Sequence, residues 1–294
     1  MYNIITDTMN NYIKSPLNYT GGKYKLLPQI VPLFPQDINT FVDLFTGGAN
    51  VVVNVDAKKH IANDFDSHVI GIYRLFTNLE ADSIIEFVEK IICAYGLSLT
   101  NADGYNKLRT YYNNLEDKDS DLAHMFLFVL ICYSFNHQFR FNKKGEFNMP
   151  FGKNRSQWND TIKNNLISFL KAIDEKDIIF TNRSFDELKL EKLSEGDFIY
   201  CDPPYLITCA TYNEKDGWNF DKEMGLYRLL DEADSRGIKF AMSNVLESKG
   251  KSNGWLIEWS KKYNVHHLDY GYGNCSYHTK DRTKKSDEVL ITNY

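Results

Sequence analysis

Nowhere does the 294-residue chain hold the roughly 18–20 uninterrupted apolar residues that a membrane span requires. Its opening stretch, MYNIITDTMNNYIK, lacks the basic-then-apolar pattern of a signal peptide, which sets the expectation of a cytoplasmic protein. Cysteine is sparse: Cys93, Cys132, Cys201, Cys209 and Cys275 are widely scattered and none forms a CxxC pair. An odd number of isolated thiols fits a reducing compartment and argues against a disulfide framework or a zinc site. The histidines form no ligand pattern either; His266 and His267 are adjacent and would point to opposite faces of a strand. No metal is expected. There is no GxGxxG fingerprint, no internal repeat and no low-complexity tract.

Neither sign of charge is in large excess. Lys and Arg number 34 against 39 Asp and Glu, a net −5 that alone speaks weakly against a nucleic-acid partner. Its distribution says otherwise: between Asn136 and Arg155 stand Arg140, Lys143, Lys144, Lys153 and Arg155 against the single Glu146. A local basic patch on an acidic protein still binds phosphates, the plain alternative being a solvated loop. With 43% hydrophobic residues the chain can bury a normal core in one or two domains.

Short β-branched or aromatic runs predict strands at FVDLF (41–45), HIAN (60–63), IIFT (178–181), DFIYC (197–201), IKFAMS (238–243), NVHHLD (264–269) and EVLIT (288–292). Helical patterns are expected between the first five, as in 222–235, which implies right-handed crossovers and a mainly parallel sheet. The last two runs, joined across 270–287, read as a terminal antiparallel pair. One long interruption carries helices only: 83–94 has an apolar face, 121–135 is apolar nearly all round, and 159–172 gives a third helix. The polar stretch NHQFRFNKKGEFNMPFGKNRSQW reads as a long irregular loop within this insertion, the usual form of an accessory binding module.

Three stretches carry chemistry. FVDLFTGGANV (41–51) is a strand running into a Gly-Gly turn and then a helix; Gly47 and Gly48 permit tight geometry and close approach of a ligand. About sixteen residues after Gly48, Asp64 ends the second strand, where doubly wound folds grip the two hydroxyls of a ribose. Each half is common as plain structure; together they favour an adenosine-type ligand. SPLNYTGGKYKLL (15–27) offers Tyr19 for stacking and Lys23 for a carboxylate, before a helix. In YCDPPYL (200–206), Asp202 sits at the crevice end of a strand, and Pro203 and Pro204 fix φ and remove two N–H donors. The Asp202 carboxylate and the Pro203 carbonyl then form a rigid acceptor pair beside the face of Tyr205. That suits a planar amine such as N6 of adenine, whose delocalised lone pair is exposed when both N–H bonds are gripped.

TGGKY (20–24), DLFTGGANV (43–51), Asp64 and DPPY (202–205) occur in the order and spacing of Dam-like DNA adenine-N6 methyltransferases, and the chain resembles their alpha-type group, which includes the DpnII-type modification enzymes of bacteria and phage. FNHQFRFNKKGEFNMPFGKNR (135–155) is similar to that family's target-recognition segment, and SNVLESKG (243–250) and SDEVLITNY (286–294) match its tail. The resemblance implies an α/β, class I S-adenosylmethionine-dependent methyltransferase fold: a Rossmann-like, mainly parallel seven-stranded sheet with a C-terminal antiparallel strand. Residues 1–79 and 173–294 would be catalytic and 80–172 the helical target-recognition domain. It further implies S-adenosyl-L-methionine as methyl donor, held by Tyr19, Gly22, Lys23, Asp43, Phe45, Gly47, Gly48, Asp64 and Asp202. Asp202, Pro203, Pro204 and Tyr205 would hold the target adenine. Phe135, Asn136, Arg140, Asn142, Lys143, Pro150, Lys153 and Arg155 would engage double-stranded DNA at GATC or a related short site. Two departures stand out: FTGGA (45–49) replaces the frequent FxGxG, and Asn18 stands where many GATC-specific members carry Lys.

The expected chemistry is direct methyl transfer to a flipped-out adenine, without a covalent enzyme intermediate or a metal. Arg140 suits a bidentate contact to guanine, while Lys143, Lys144 and Arg155 suit phosphates. The setting would be bacterial or phage-encoded, as an orphan enzyme or beside a restriction endonuclease acting separately. Two rivals differ in class. A methyltransferase for another planar amine would usually show Asn at position 202 and need no basic insertion. A non-catalytic DNA-binding module would not need intact acceptor motifs.

Overall fold

In the computed structural model, which describes residues 12–208, 217–269 and 286–294, the apolar runs pair side by side. β1 (Ile38–Asp43), β2 (Ala57–Asp64), β3 (Ile178–Asn182), β4 (Phe198–Cys201), β5 (Lys239–Ser248), β7 (Asn264–Leu268) and β8 (Asp287–Thr292) each overlap one of the expected strands, though β1 starts three residues earlier and ends two residues sooner than 41–45. The two-residue β6 (Lys251–Ser252), folding back on β5, was not foreseen. The order is β3-β2-β1-β4-β5-β8-β7. β1 to β5 pair in parallel, and β8 slots antiparallel between β5 and β7. This is the arrangement expected of a class I methyltransferase.

Alternation places the core on both faces of the sheet. Phe198 and Tyr200 of β4 join one apolar cluster, while Ile199 and Cys201 join the other. A strand buried on both sides reads as a continuous apolar run, which is why these were legible.

Seven helices of seven residues or more are described: α1 (Ser67–Asn78), α2 (Ala81–Tyr95), α3 (Ala102–Asn113), α4 (Asp121–Tyr133), α5 (Asp160–Glu175), α6 (Phe220–Ser235) and α7 (Gly254–Ser260). Side-chain oxygens at Asp66, Asn101, Ser120, Asn159, Asn219 and Asn253 cap free N–H groups at six of their N-termini. α4 is buried from Ala123 to Tyr133. It packs so closely on α1 that a Cβ on Gly71 would fall 2.0 Å from His124 Nε2, so the insertion and the sheet layer share one continuous core.

Three expectations are corrected. β1 and β2 are joined by a single 3-10 turn (Val52–Asn54) instead of a helix: Gly47 and Ala49 have φ of +44° and +53°, and three β-branched valines follow. β3 and β4 are likewise linked by two short 3-10 turns, Phe185–Glu187 and Leu190–Lys192, with Leu188 extended between them. The polar stretch of the insertion forms a two-stranded ribbon. Phe141 bridges Phe147, Ser134 bridges Phe151, and Asn148 N donates to Arg140 O at 2.9 Å. Cys209, Cys275 and the 270–285 part of the 270–287 connection lie outside the described residues.

Candidate active site and nucleic-acid interface

β1, β2 and β4 all end at the same edge of the sheet, which brings Asp43, Asp64 and Asp202 together. Past β1 the chain turns over its neighbours: Leu44 N donates to Tyr200 O and Thr46 N to Asn63 O, at 2.9 and 2.8 Å. Gly47, in the left-handed region, then donates its N–H to Asp64 Oδ2 at 2.8 Å, while Tyr73 OH donates to its carbonyl at 2.9 Å. A Cβ here would meet the Tyr19 ring at 3.0 Å. Gly47 and Gly48 therefore make room for the segment 15–24 to lie across the loop.

That segment delivers Lys23. Its buried ammonium lies 2.8 Å from Asp202 Oδ2, donates to Gly21 O at 3.0 Å, and stands 3.8 Å from Glu288 Oε1 on β8. Tyr205 OH donates to Glu288 Oε1 at 3.0 Å, and Lys23 Nζ is 5.0 Å from the centroid of its ring. Asp202 keeps 18% of its side chain exposed. Pro203 is buried, Pro204 exposed and Tyr205 half-buried.

Burial pushes the Asp43 carboxyl up to about 8; Thr46 Oγ1 donates to its Oδ2 at 3.1 Å, while Oδ1 has no partner. Burial raises Asp64 to about 6 against the pull of amides from Asp66 and Gly47. Asp202 and Glu288 are raised by burial too, with Lys23 pulling both down. Four acidic side chains thus gather where Lys23 is the only buried cation among the described residues, so acids outnumber bases in the crevice even with Asp43 protonated.

Phe45 is half-buried against Phe185 and Trp218, with centroids 5.7 and 5.5 Å away. Phe65, directly after Asp64, is 64% exposed. Neither Phe65, Trp218 nor Glu288 stood out in the sequence as a site residue. An aromatic beside the strand-end acid was a usable signal for Phe65. Glu288 looked like the polar start of an apolar strand.

The ribbon sits beside Tyr19, whose ring lies 5.5 Å from Phe139. Phe139, Phe141, Phe147, Met149 and Phe151 face inward, leaving Arg140, Asn148 and Pro150 outside. Arg140 Nε donates to Asn148 Oδ1 at 2.9 Å, which presents the guanidinium on the outer face. The Asn142 amide is used inside the turn: Oδ1 accepts from Lys144 N and Glu146 N, and Nδ2 donates to Glu146 Oε2. Lys143, Lys153 and Arg155 are exposed, with Arg155 5.3 Å from the Phe135 ring centroid. Asn136 has φ of +56°, and its carbonyl accepts from Asn18 Nδ2 at 2.8 Å. Among the described residues no helix is long and apolar enough to cross a membrane, and no three His, Cys, Asp or Glu side chains are grouped to hold a metal ion.

Sheet order and acid-lined edge together define a class I methyltransferase fold. Residues 19–273 match the family model described as D12 class N6 adenine-specific DNA methyltransferase, and the chain belongs to that family. It is 48% identical over 290 residues to the type II methyltransferase M.FokI of Planomicrobium okeanokoites, covering 97% of this chain and 43% of that protein. It is 46% identical to the modification methylase StsI of Streptococcus sanguinis, covering 99% and 44%. The type II methyltransferase M1.LlaDCHI of Lactococcus lactis subsp. cremoris is 27% identical, covering 94% of each. The chain therefore spans less than half the length of the first two relatives.

Proposed function

We propose that the protein transfers a methyl group to the N6 amine of an adenine flipped out of duplex DNA, at GATC or a related short site, in the cytoplasm of a bacterium or of a phage-infected host. One observation carries this: Asp202, held by Lys23 beside Tyr205, stands on the same sheet edge as the Asp64-capped glycine loop. The relatives' names, a type II methyltransferase and a modification methylase, support a setting of restriction and modification, in which a separate endonuclease would be the companion. Residues 80–172 would be the recognition unit and the remainder the catalytic one.

The donor set fits S-adenosyl-L-methionine. A cationic sulfonium suits a crevice rich in carboxylates, the acid at the tip of β2 suits ribose hydroxyls, and Phe65 and Phe45 offer faces to a purine. Tyr19, Gly22, Lys23, Asp43, Phe45, Gly47, Gly48, Asp64 and Asp202 would hold it, and it would supply an electrophilic methyl carbon. The chain's own residues do the rest. Asp202 and the Pro203 carbonyl accept the two N–H bonds of the amine, and Pro203 and Pro204 keep them still. Tyr205 stacks on the base. Positive charge grows on N6, and the fixed acceptors stabilise it; Asp202 takes the proton directly or through water.

On the DNA side, Phe135 would fill the gap left by the extruded base. Arg140 would read guanine, while Lys143, Lys153 and Arg155 would meet phosphates. Asn136 and Pro150 line the same face. Asn142 would shape the turn that carries them.

Incubation of the protein with tritium-labelled S-adenosylmethionine and duplex DNA should label the DNA, and sequencing should place the methyl groups on adenines of one short motif. Asp202→Ala should abolish labelling and leave DNA binding within about threefold. Near-normal turnover by that variant would show that the acceptor pair is assigned wrongly.

A further inference from the structure

We propose that Glu288 is a positioning residue for Asp202, competing for Lys23 so that the ammonium does not neutralise Asp202 completely, and anchoring the Tyr205 ring. The inference rests on the proposed methylation of a planar amine.

The case begins with cost. Glu288 is buried in β8, and the residues paired with it are Val245 on β5 and Leu268 on β7. Along the strand Asp287, half-buried with its Oδ1 2.7 Å from His267 Nδ1, precedes it, and Val289, Leu290 and Ile291, all buried, follow. A valine or leucine at 288 would keep the backbone pairing and spare the desolvation of a charge, and Lys23 would still hold its nearer partner, Asp202 Oδ2 at 2.8 Å. Stability does not account for a carboxylate here.

Its contacts account for it better. Oε1 accepts the Tyr205 hydroxyl at 3.0 Å and stands 3.8 Å from Lys23 Nζ, whose nearer partner is Asp202 Oδ2 at 2.8 Å. Two carboxyl groups share one ammonium, so with both ionised the trio carries one net negative charge. Without Glu288, Lys23 would serve Asp202 alone and the pair would be neutral. A neutral pair is a weaker acceptor for an amine gaining positive charge, and an unanchored Tyr205 is a poorer stacking plate. The titratable groups facing Glu288 are Lys23 from the N-terminal segment, Asp202 and Tyr205 from the turn after β4, and Tyr200 on β4; β5 and β7 present apolar side chains directly opposite.

The test combines a titration with kinetics. In the unliganded parent protein labelled with carbon-13 at its carboxyls, the Asp202 and Glu288 signals should share both steps of a coupled titration. In Glu288→Gln, Asp202 should titrate in a single step at lower pH. The same variant should bind S-adenosylhomocysteine and duplex DNA within about threefold of the parent while kcat falls roughly 10–100-fold. The acid limb of its pH–kcat profile should move to lower pH. Tyr205→Phe should lose less kcat and leave that limb in place. Independent single-step titrations in the parent, or an unchanged kcat in Glu288→Gln, overturn the proposal. If the parent labels no adenine, the functional reading fails, and the titration still decides whether Glu288 is coupled to Asp202.

Discussion

Asp43 offers the sharpest test of how the site is held. The residue ends β1, is 1% exposed, accepts one hydrogen bond from Thr46, and leaves Oδ1 without a donor. Burial pushes its carboxyl up to about 8, whereas an unfolded chain would show about 3.9. The sign follows directly. Between those values the folded protein keeps a proton that the unfolded chain has released, so this group's stabilisation is complete at low pH and lost as pH rises through 8. Each pH unit is worth about 1.4 kcal/mol, which puts the ceiling near 6 kcal/mol over the whole interval. Over pH 5 to 8, a loss of roughly 2–4 kcal/mol from this residue is expected. Asp43→Asn mimics the protonated form at every pH and should remove that slope. At about 1.5–2 °C per kcal/mol for 294 residues sharing one core, the melting temperature of the variant should gain on the parent by roughly 3–8 °C between pH 5 and 8. Differential scanning calorimetry without ligand, in overlapping buffers, reads this directly. Parallel curves for the two proteins would mean that Asp43 is ionised at pH 7 and that its environment has been misread.

Asp64, raised to about 6, should make S-adenosylhomocysteine binding pH-dependent: hydroxyl donors favour the ionised form, so calorimetric affinity should fall up to tenfold per unit below pH 6 and level off above it. A flat profile from pH 5 to 7 would remove Asp64 from the ribose site. Gly47→Ala forces an alanine into a left-handed φ and its Cβ toward Tyr19, and should cost about 1–2 kcal/mol in urea unfolding and weaken ligand binding; a cost under about 0.3 kcal/mol would refute the packing account. Lys143→Ala should lower the salt dependence of DNA binding by about one phosphate contact for every sequence alike. Arg140→Ala should instead narrow the gap between the preferred site and variant sites by about 1–3 kcal/mol, and equal weakening on all sequences would make Arg140 a phosphate contact.

The central strands were legible because β4 and most of β5 and β8 are buried on both faces and show as apolar runs, whereas the edge strands β3 and β7 keep exposed positions and showed through their β-branched residues. The turn after β1 was misread as a helix because Gly47 and Gly48 resemble a helix-opening loop; the following VVVNV, crowded with β-branched side chains, already disfavoured one. The ribbon was hidden by its own turn. Asn, Lys and Gly at 142–145 drew attention to a loop, while Phe139, Phe141, Phe147, Met149 and Phe151 were alternating with polar residues on either side at the strand period. Asp64 and Asp202 could be placed from sequence because a strand ends just before or at each. Glu288 could not be placed, since its role depends on a hydroxyl 83 positions away and an ammonium from the other end of the chain.

The segment 15–24 explains how recognition and chemistry can belong to one structure. Ser15 N is fixed by Asn50 Oδ1 at 3.0 Å, below the glycine loop. Asn18 then holds the Asn136 carbonyl at the root of the ribbon, Tyr19 lies between Phe139 and Gly47, and Lys23 reaches Asp202. Ten residues thus touch the glycine loop after β1, the ribbon of the insertion and Asp202. Through this strap the ribbon and Lys23 are joined by contacts that do not pass through the sheet.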